Sequence, residues 1–322
     1  MKQTIHWGII GTGSIAQKFA EALKYVPDAR LMAIGSRNKK KAIDFANHNK
    51  VSKAYGSYLE LAEDKEIDVI YIATPHIYHF ENTMLCLHNN KAVLCEKPFA
   101  MNTAEVQQMI TLAHEKDLFL MEALWTRFLP SIIKTMELID NDAIGHVVHL
   151  MSNFGFKAHF DSEGRLFNKE LGGGSLLDIG IYPVFISLLL LGMPDEIASK
   201  ANIGSTCIDD SISVIFKYQN GSLANLASTF LANTSIQTEI YGTKGMITIN
   251  NPWFMSKSIS VKMNSGEKQD FYFNFECNGY EYEAIEVTKC LLEGKTESSI
   301  MPHDLSLKLI GLLDKIREQN EI

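Results

Sequence analysis

Ile5-His6-Trp7-Gly8-Ile9-Ile10-Gly11-Thr12-Gly13-Ser14-Ile15-Ala16 is an apolar run followed by the spacing GxGxxA. After it, Ser14 to Val26 carries a helical pattern. The first glycine of such a turn permits the tight bend, and the second lets backbone approach a pyrophosphate. The small third residue allows close helix–strand packing, and the helix N-terminus favours an anion. In this strand–turn–helix context, Gly11, Thr12, Gly13, Ser14 and Ile15 are candidate dinucleotide contacts.

Outward from that turn, strand and helix patterns alternate for about 125 residues. Strands are expected at Arg30 to Gly35, Asp68 to Ala73, Ala92 to Cys95 and Leu118 to Glu122. Helices are expected at Lys39 to Asn49, Phe80 to His88 and Thr103 to Lys116. Alternation of this kind implies a doubly wound parallel sheet of the Rossmann type. After Trp125 the rhythm changes. A helix (Ser131 to Asn141), a long strand (His146 to Lys157) and an apolar helix (Gly172 to Leu191) precede seven strand-like runs. Asn220-Gly221 is a hairpin signal between two of them. Two helices, Tyr280 to Leu292 and His303 to Gln319, close the chain. The fold class is therefore α/β: a nucleotide-binding domain over 1–123 and an α+β domain over 124–322, with a large, mostly antiparallel open sheet. The expected junction is tight, and such junctions commonly hold ligands.

The bulk numbers agree with two domains. The chain has 322 residues, 46% of them hydrophobic and 21% charged. A net charge of -8 argues against a general nucleic-acid binder. The five cysteines are scattered without CxxC spacing, so neither a disulfide framework nor a metal site is expected. The polar start reads as no signal peptide. Val184 to Leu191 is too short to span a bilayer, so no membrane is expected. These features together point to the cytoplasm.

The second strand ends Gly35-Ser36-Arg37. NAD-binding folds usually carry Asp or Glu there for the ribose 2′-hydroxyl. Here Ser36 and Arg37 occupy the tip, and Lys39, Lys40 and Lys41 follow. A 2′-phosphate needs cationic donors, so NADP is favoured, with NAD as the alternative. At least one of the lysines reads as solvated helix face. Thr74, Pro75, His76 and His79 follow the third strand, at the carboxyl edge where nucleotides lie.

Two further constellations carry chemistry. Cys95-Glu96-Lys97-Pro98 puts a lysine at a strand's carboxyl end, and Pro98 disfavours helical geometry there, with a cis bond as one way to fix its direction. Gly172-Gly173-Gly174 precedes Ser175-Leu176-Leu177-Asp178-Ile179-Gly180-Ile181-Tyr182-Pro183. The glycines read as close approach of backbone to a ligand. On a regular helix from Ser175, Asp178 and Tyr182 would share one face.

GxGxxA, EKP and GGGxxxDxGxY in this order resemble the Gfo/Idh/MocA (glucose–fructose oxidoreductase/inositol dehydrogenase) family along essentially the whole chain. Trp125 to Pro130 and Tyr182-Pro183 resemble its branch of dimeric dihydrodiol and D-xylose dehydrogenases (NADP). The resemblance implies an NADP-dependent oxidoreductase acting on a CH–OH group of a sugar or cyclic diol. It places Glu96 and Lys97 near the nicotinamide and puts Tyr182 where many relatives have histidine. It also implies a homodimer or higher oligomer through the C-terminal sheet. The catalytic set is then Lys97, Tyr182 and Asp178. Tyr182 takes the substrate proton, Lys97 lowers a tyrosine pKa that is ordinarily near 10, and Asp178 orients or balances Lys97. Trp125, Arg127 and Phe154 are candidate substrate walls, with Phe156, Trp253 and Tyr280 as weaker ones. The competing reading is a non-catalytic NADP-binding regulator of the same fold.

Overall fold

The computed structural model describes residues 4–322, so residues 1–3, part of the start read for a leader, lie outside it. It divides into two compact units, residues 1–125 with 275–310 and residues 126–274 with 311–322.

The first unit is built on β1 (Ile5–Ile10), β2 (Ala29–Gly35), β3 (Lys53–Tyr55), β4 (Val69–Ile72), β5 (Ala92–Glu96) and β6 (Leu120–Ala123). All pairings are parallel, in the order β3-β2-β1-β4-β5-β6. The winding reverses between β1 and β4, which is the switch point where such sheets bind ligands. Every residue of β4 and β5 is buried, as continuous apolar runs in a two-sided sheet require. Between the strands lie α1 (Ser14–Ala22), α2 (Lys39–Asn49), α3 (Tyr58–Ala62), α4 (His79–His88) and α5 (Thr103–Glu115). The short β3 and α3 are absent from the sequence reading. Their clue was local: Ser57 accepts from Glu60 N, and Glu60 accepts from Gly56 N, a reciprocal cap at S-x-x-E. From α3, Leu61 packs on Gly8 and Gly35, where added methyl groups would meet it at 3.0 Å.

The second unit contains α6 (Pro130–Asp140), β7 (Val147–Gly155), α7 (Ile181–Leu191), β8 (Glu196–Ile203), β9 (Asp209–Lys217), β10 (Leu223–Thr229), β11 (Thr238–Gly242), β12 (Gly245–Ile249), β13 (Ser258–Met263) and β14 (Lys268–Tyr272). The eight strands run β14-β13-β12-β11-β7-β10-β9-β8, and only β7 and β10 pair in parallel. The Asn220-Gly221 hairpin joins β9 to β10, with Gly221 at φ 89°. The apolar stretch Lys169–Leu191 is 23 residues long, enough to cross a bilayer by length and composition, contrary to the shorter reading. However, 83% of its most apolar window is buried in the protein, as in a core helix. Within the unit, α7 packs on β7 and β10.

Three expectations change. Residues 275–310, with α8 (Glu281–Leu292) and the start of α9 (His303–Asn320), group with the first unit and not the second. The reason is packing: α8 lies on α1 and β1. Secondly, the helix through Asp178 is not regular. Leu176–Gly180 forms a π turn that runs into α7. Pro183 has no N–H to give to the carbonyl four residues back, which relieves the α-helical register there. Thirdly, the glycines approach their own protein. A methyl group on Gly173 would lie 2.7 Å from Leu166 O, and one on Gly174 2.4 Å from Asp209 Oδ1.

Asp209 anchors that turn, accepting from Ser175 Oγ at 2.8 Å and Leu176 N at 2.6 Å. Burial is the main cause that pushes its carboxyl up to about 6. Because the folded value exceeds the unfolded one of about 3.9, this group stabilises the fold most below pH ~4 and loses that contribution as pH rises through ~6, by about 3 kcal/mol. Asp209→Asn removes the titration. Urea unfolding should show the variant gaining stability relative to the parent between about pH 4 and pH 7, and a constant difference would refute the assignment.

Candidate cofactor and catalytic site

In the first unit, the β1–α1 turn lines a cleft of about 390 Å³ with Gly11, Thr12, Gly13, Ser36, Arg37, Asn38, Lys41, Tyr58, Ala73, Thr74 and Pro75. Gly11 has φ 112°, and a methyl group there would lie 2.6 Å from Ala73 O. Gly13, by contrast, faces open space, with nothing within 4 Å of an added methyl group. It caps α1 without any side-chain hydrogen bond, which leaves the helix N-terminal amides to a ligand. These are the features a dinucleotide pyrophosphate needs.

The end of β2 meets the same cleft. Asn38 caps α2 by accepting from Lys41 N, and Ser36 Oγ accepts from Asn38 N. The Arg37 guanidinium lies 5.0 Å from the Tyr78 ring centre. Tyr78 and then Tyr58 raise its already high pKa, keeping it charged. The three lysines separate: Lys41 lines the cleft, while Lys39 donates to Ala54 O at 2.6 Å. Lys40 is exposed and does not line the cleft. Asn38 and Tyr58 were not singled out from sequence: Asn38 sits between the strand tip and the lysines, and Tyr58 on the unrecognised α3.

Two histidines stand after β4. His79 is fully buried, and its ring nitrogens face Pro98 O at 2.7 Å and Thr74 O at 2.9 Å, tying two loops together. His76 is buried in the 3₁₀ turn His76–Tyr78. The Lys97-Pro98 peptide is cis. Glu96 accepts from the Tyr71 hydroxyl and, at 3.2 Å, from Lys97 N. Glu122 accepts from Phe99 N at 3.0 Å, and burial pushes its carboxyl up to about 7. Trp125 stacks on Tyr280 with ring centres 4.3 Å apart, and Arg127 lies half-buried in the same 3₁₀ turn, Trp125–Phe128.

In the second unit, Tyr182 and Asp178 are both buried. Tyr182 lies among aromatic rings, 5.7 Å from Phe154 and 5.5 Å from Phe254, and those two stack at 4.2 Å. Phe156 borders the same cluster at 6.3 Å. Phe254 went unnoticed in favour of its neighbour Trp253. The latter turns inward and is fully buried, donating from Nε1 to Asn153 O at 2.9 Å, so it is core and not a wall. Asp178 is held by Arg165 through bonds of 2.7 and 3.3 Å. Arg165, in an exposed loop before the glycines, carried no signal in the sequence.

The fold is shared with known proteins. Residues 5–124 match the model of an oxidoreductase family with an NAD-binding Rossmann fold, and residues 132–248 match the GFO/IDH/MocA C-terminal domain. A trans-1,2-dihydrobenzene-1,2-diol dehydrogenase from Xenopus laevis is 40% identical, with 97% of each chain covered. The one from Danio rerio is 39% identical, covering 98% of this chain and 96% of its own. Among solved structures, a 3-ketoreductase from Actinomadura kijaniata in complex with NADP has a TM-score of 0.90 at 22% identity, with 98% of each chain covered. A levoglucosan dehydrogenase in complex with NADH and L-sorbose has a TM-score of 0.90 at 20% identity, covering 99% of this chain and 97% of its own. The chain belongs to the GFO/IDH/MocA family of oxidoreductases.

Proposed function

We propose that this enzyme transfers a hydride between NADP and the CH–OH group of a sugar or cyclic diol, with Tyr182 accepting the substrate's hydroxyl proton. The observation that carries the cofactor choice is the end of β2, where Arg37 and Lys41 line the cleft and no carboxylate does. The named activity of the vertebrate relatives supports the substrate class. NADP, when bound, supplies the hydride acceptor or donor at its nicotinamide ring. Gly11, Thr12, Gly13, Ser14 and Ile15 hold its pyrophosphate, and Ser36, Arg37 and Lys41 its 2′-phosphate. Thr74, Pro75, His76, Glu96 and Lys97 border the nicotinamide end, and His79 acts there through the loops it ties.

Tyr182 must give and take a proton near neutral pH, although a free tyrosine titrates near 10. A neighbouring cation favours phenolate, and Lys97 has that role in this reading. Asp178, itself held by Arg165, balances the lysine charge. Trp125, Arg127 and Phe154 present the substrate with aromatic surface and a guanidinium. The enzyme works in the cytoplasm and self-associates through the open face of the eight-stranded sheet. On that face Met151, Ile215 and Leu223 are exposed from β7, β9 and β10.

Tyr182→Phe should lower kcat by about 10²–10⁴-fold while the NADP dissociation constant stays within about twofold. Near-normal turnover would remove Tyr182 from the mechanism, and a parent enzyme that binds NADP but turns over no aldose or diol would be a sensor instead. Arg37→Ala should weaken NADP binding by about 10–100-fold and NAD binding by less than about threefold, as loss of charge-assisted hydrogen bonds to phosphate predicts. Equal losses for both cofactors, read by fluorescence titration, would count against a 2′-phosphate site. The double variant Met151→Glu with Ile215→Glu should run as a monomer in size-exclusion chromatography with light scattering. An unchanged mass would show that this face is not the contact.

A further inference from the structure

The first unit buries a carboxyl that the proposed reaction does not use. Glu283 stands in the first turn of α8, wholly shielded from solvent. Among the described residues neither of its carboxyl oxygens has a hydrogen-bond partner. An ionised group in that position costs on the order of several kcal/mol, so its retention calls for a physical reason.

Its surroundings supply one. The ionisable side chain that acts on it is Glu96 of β5, and Glu283 in turn acts on Tyr71 of β4. Although α8 also packs on α1 and β1, no charged side chain of either acts on Glu283. Two buried carboxyls that repel one another do not readily both ionise. Glu96 has donors for its charged form, from the Tyr71 hydroxyl and Lys97 N. Glu283 has none, so the proton belongs on Glu283. Burial and then Glu96 act in the same direction, lifting the Glu283 carboxyl far above the usual range.

Another orphaned polar atom lies on this side of the sheet. Trp7 Nε1 is buried without a partner among the described residues. Trp7 is two residues before Ile9, which pairs with Tyr71, so Trp7 and Tyr71 share a sheet face. A leftover donor and leftover acceptors of this kind are what internal water satisfies.

We infer that Glu283 is a positioning residue: as a neutral carboxylic acid it donates, through a buried water, to Glu96, and so holds that carboxylate beneath the Lys97 backbone. A single carboxylate then lies under that peptide, with its charge spent on Tyr71 and the Lys97 N–H. The kinetic half of this inference rests on the role proposed for Lys97. Its physical half, a protonated carboxyl at residue 283, stands apart from it.

Infrared difference spectroscopy tests the physical half. At about pH 8, above the values of about 7 for Glu122 and about 6 for Asp209, Glu283 keeps its proton. The parent protein minus Glu283→Gln should show the C=O stretch of a protonated carboxyl, and its absence would overturn the inference whatever the enzyme's reaction. The kinetic half compares two replacements. Glu283→Gln keeps a donor and should hold kcat within about twofold with the parent's pH profile. Glu283→Leu keeps the bulk without the donor. It should lower kcat about tenfold and shift the pH profile of kcat/KM, with the KM for NADP little changed. A leucine variant with the parent's kcat and profile would overturn the positioning role while leaving the proposed function intact. If that variant does not fold, the infrared band and the glutamine variant still decide.

Discussion

No side chain fits at position 11. Its backbone sits at φ 112° and its Cα hydrogens point at Ala73 O, only 2.6 Å from where a Cβ would lie. That contact locks the end of β1 against the end of β4, across the switch point of the sheet. From it follow the direction of α1, the open side of Gly13 and the course of the Thr74-Pro75 segment along the cleft. A methyl group would have to push apart two adjacent parallel strands, so the loop's shape is set by excluded volume before any ligand contributes.

The second organising constraint is charge. Around the Glu96-Lys97-Pro98-Phe99 segment the protein buries Glu96, Glu122 and Glu283, and the Lys97 ammonium acts on Glu122. Three full charges in such a place would cost far more than the lysine returns. The burden is divided instead. Glu96 is hydrogen-bonded as a carboxylate, Glu122 binds Phe99 N and titrates near neutrality, and Glu283 is driven neutral. Two backbone amides of one segment, at 97 and 99, are thereby held by carboxyls from β5 and β6. The lysine's position is over-determined by groups that need not touch substrate.

What could be read from the sequence follows the range of the interactions involved. GxGxxA, the β-branched run before Thr74 and the Asn220-Gly221 turn announce themselves because their causes are local: dihedral freedom, period and turn chemistry. Lys97 and Tyr182 stood out by motif. His79, read as a ligand contact, proved to be a tie between two carbonyls that are 24 residues apart in the chain. Arg165 and Phe254 were missed because nothing local marks them; each matters only through a partner brought near by folding, Asp178 for one and Phe154 for the other. The grouping of 275–310 with the first unit was invisible for the same reason, since α8 looks like any amphipathic helix until α1 and β1 receive it.

Tyrosine in place of histidine at 182 makes sense against its setting. Phe154 and Phe254 surround the ring with apolar surface, and the residue is buried. Dry surroundings penalise any charged form, imidazolium and phenolate alike, so they choose between the two only through a neighbouring charge, which in the proposed mechanism is the Lys97 ammonium. An imidazole beside an ammonium would be held neutral by like-charge repulsion, which suits a base but leaves its protonated product disfavoured. A phenol beside an ammonium gains the opposite effect. Its charged form, the one that takes the proton, is the form the cation stabilises, and its product is neutral in a dry aromatic pocket. The π turn Leu176–Gly180 carries Asp178 and runs directly into α7, so its wider winding sets the angle between Asp178 and Tyr182. The aromatic cluster, the turn and the tyrosine therefore form one device, and replacing any one without the others should cost more than the side chain alone suggests.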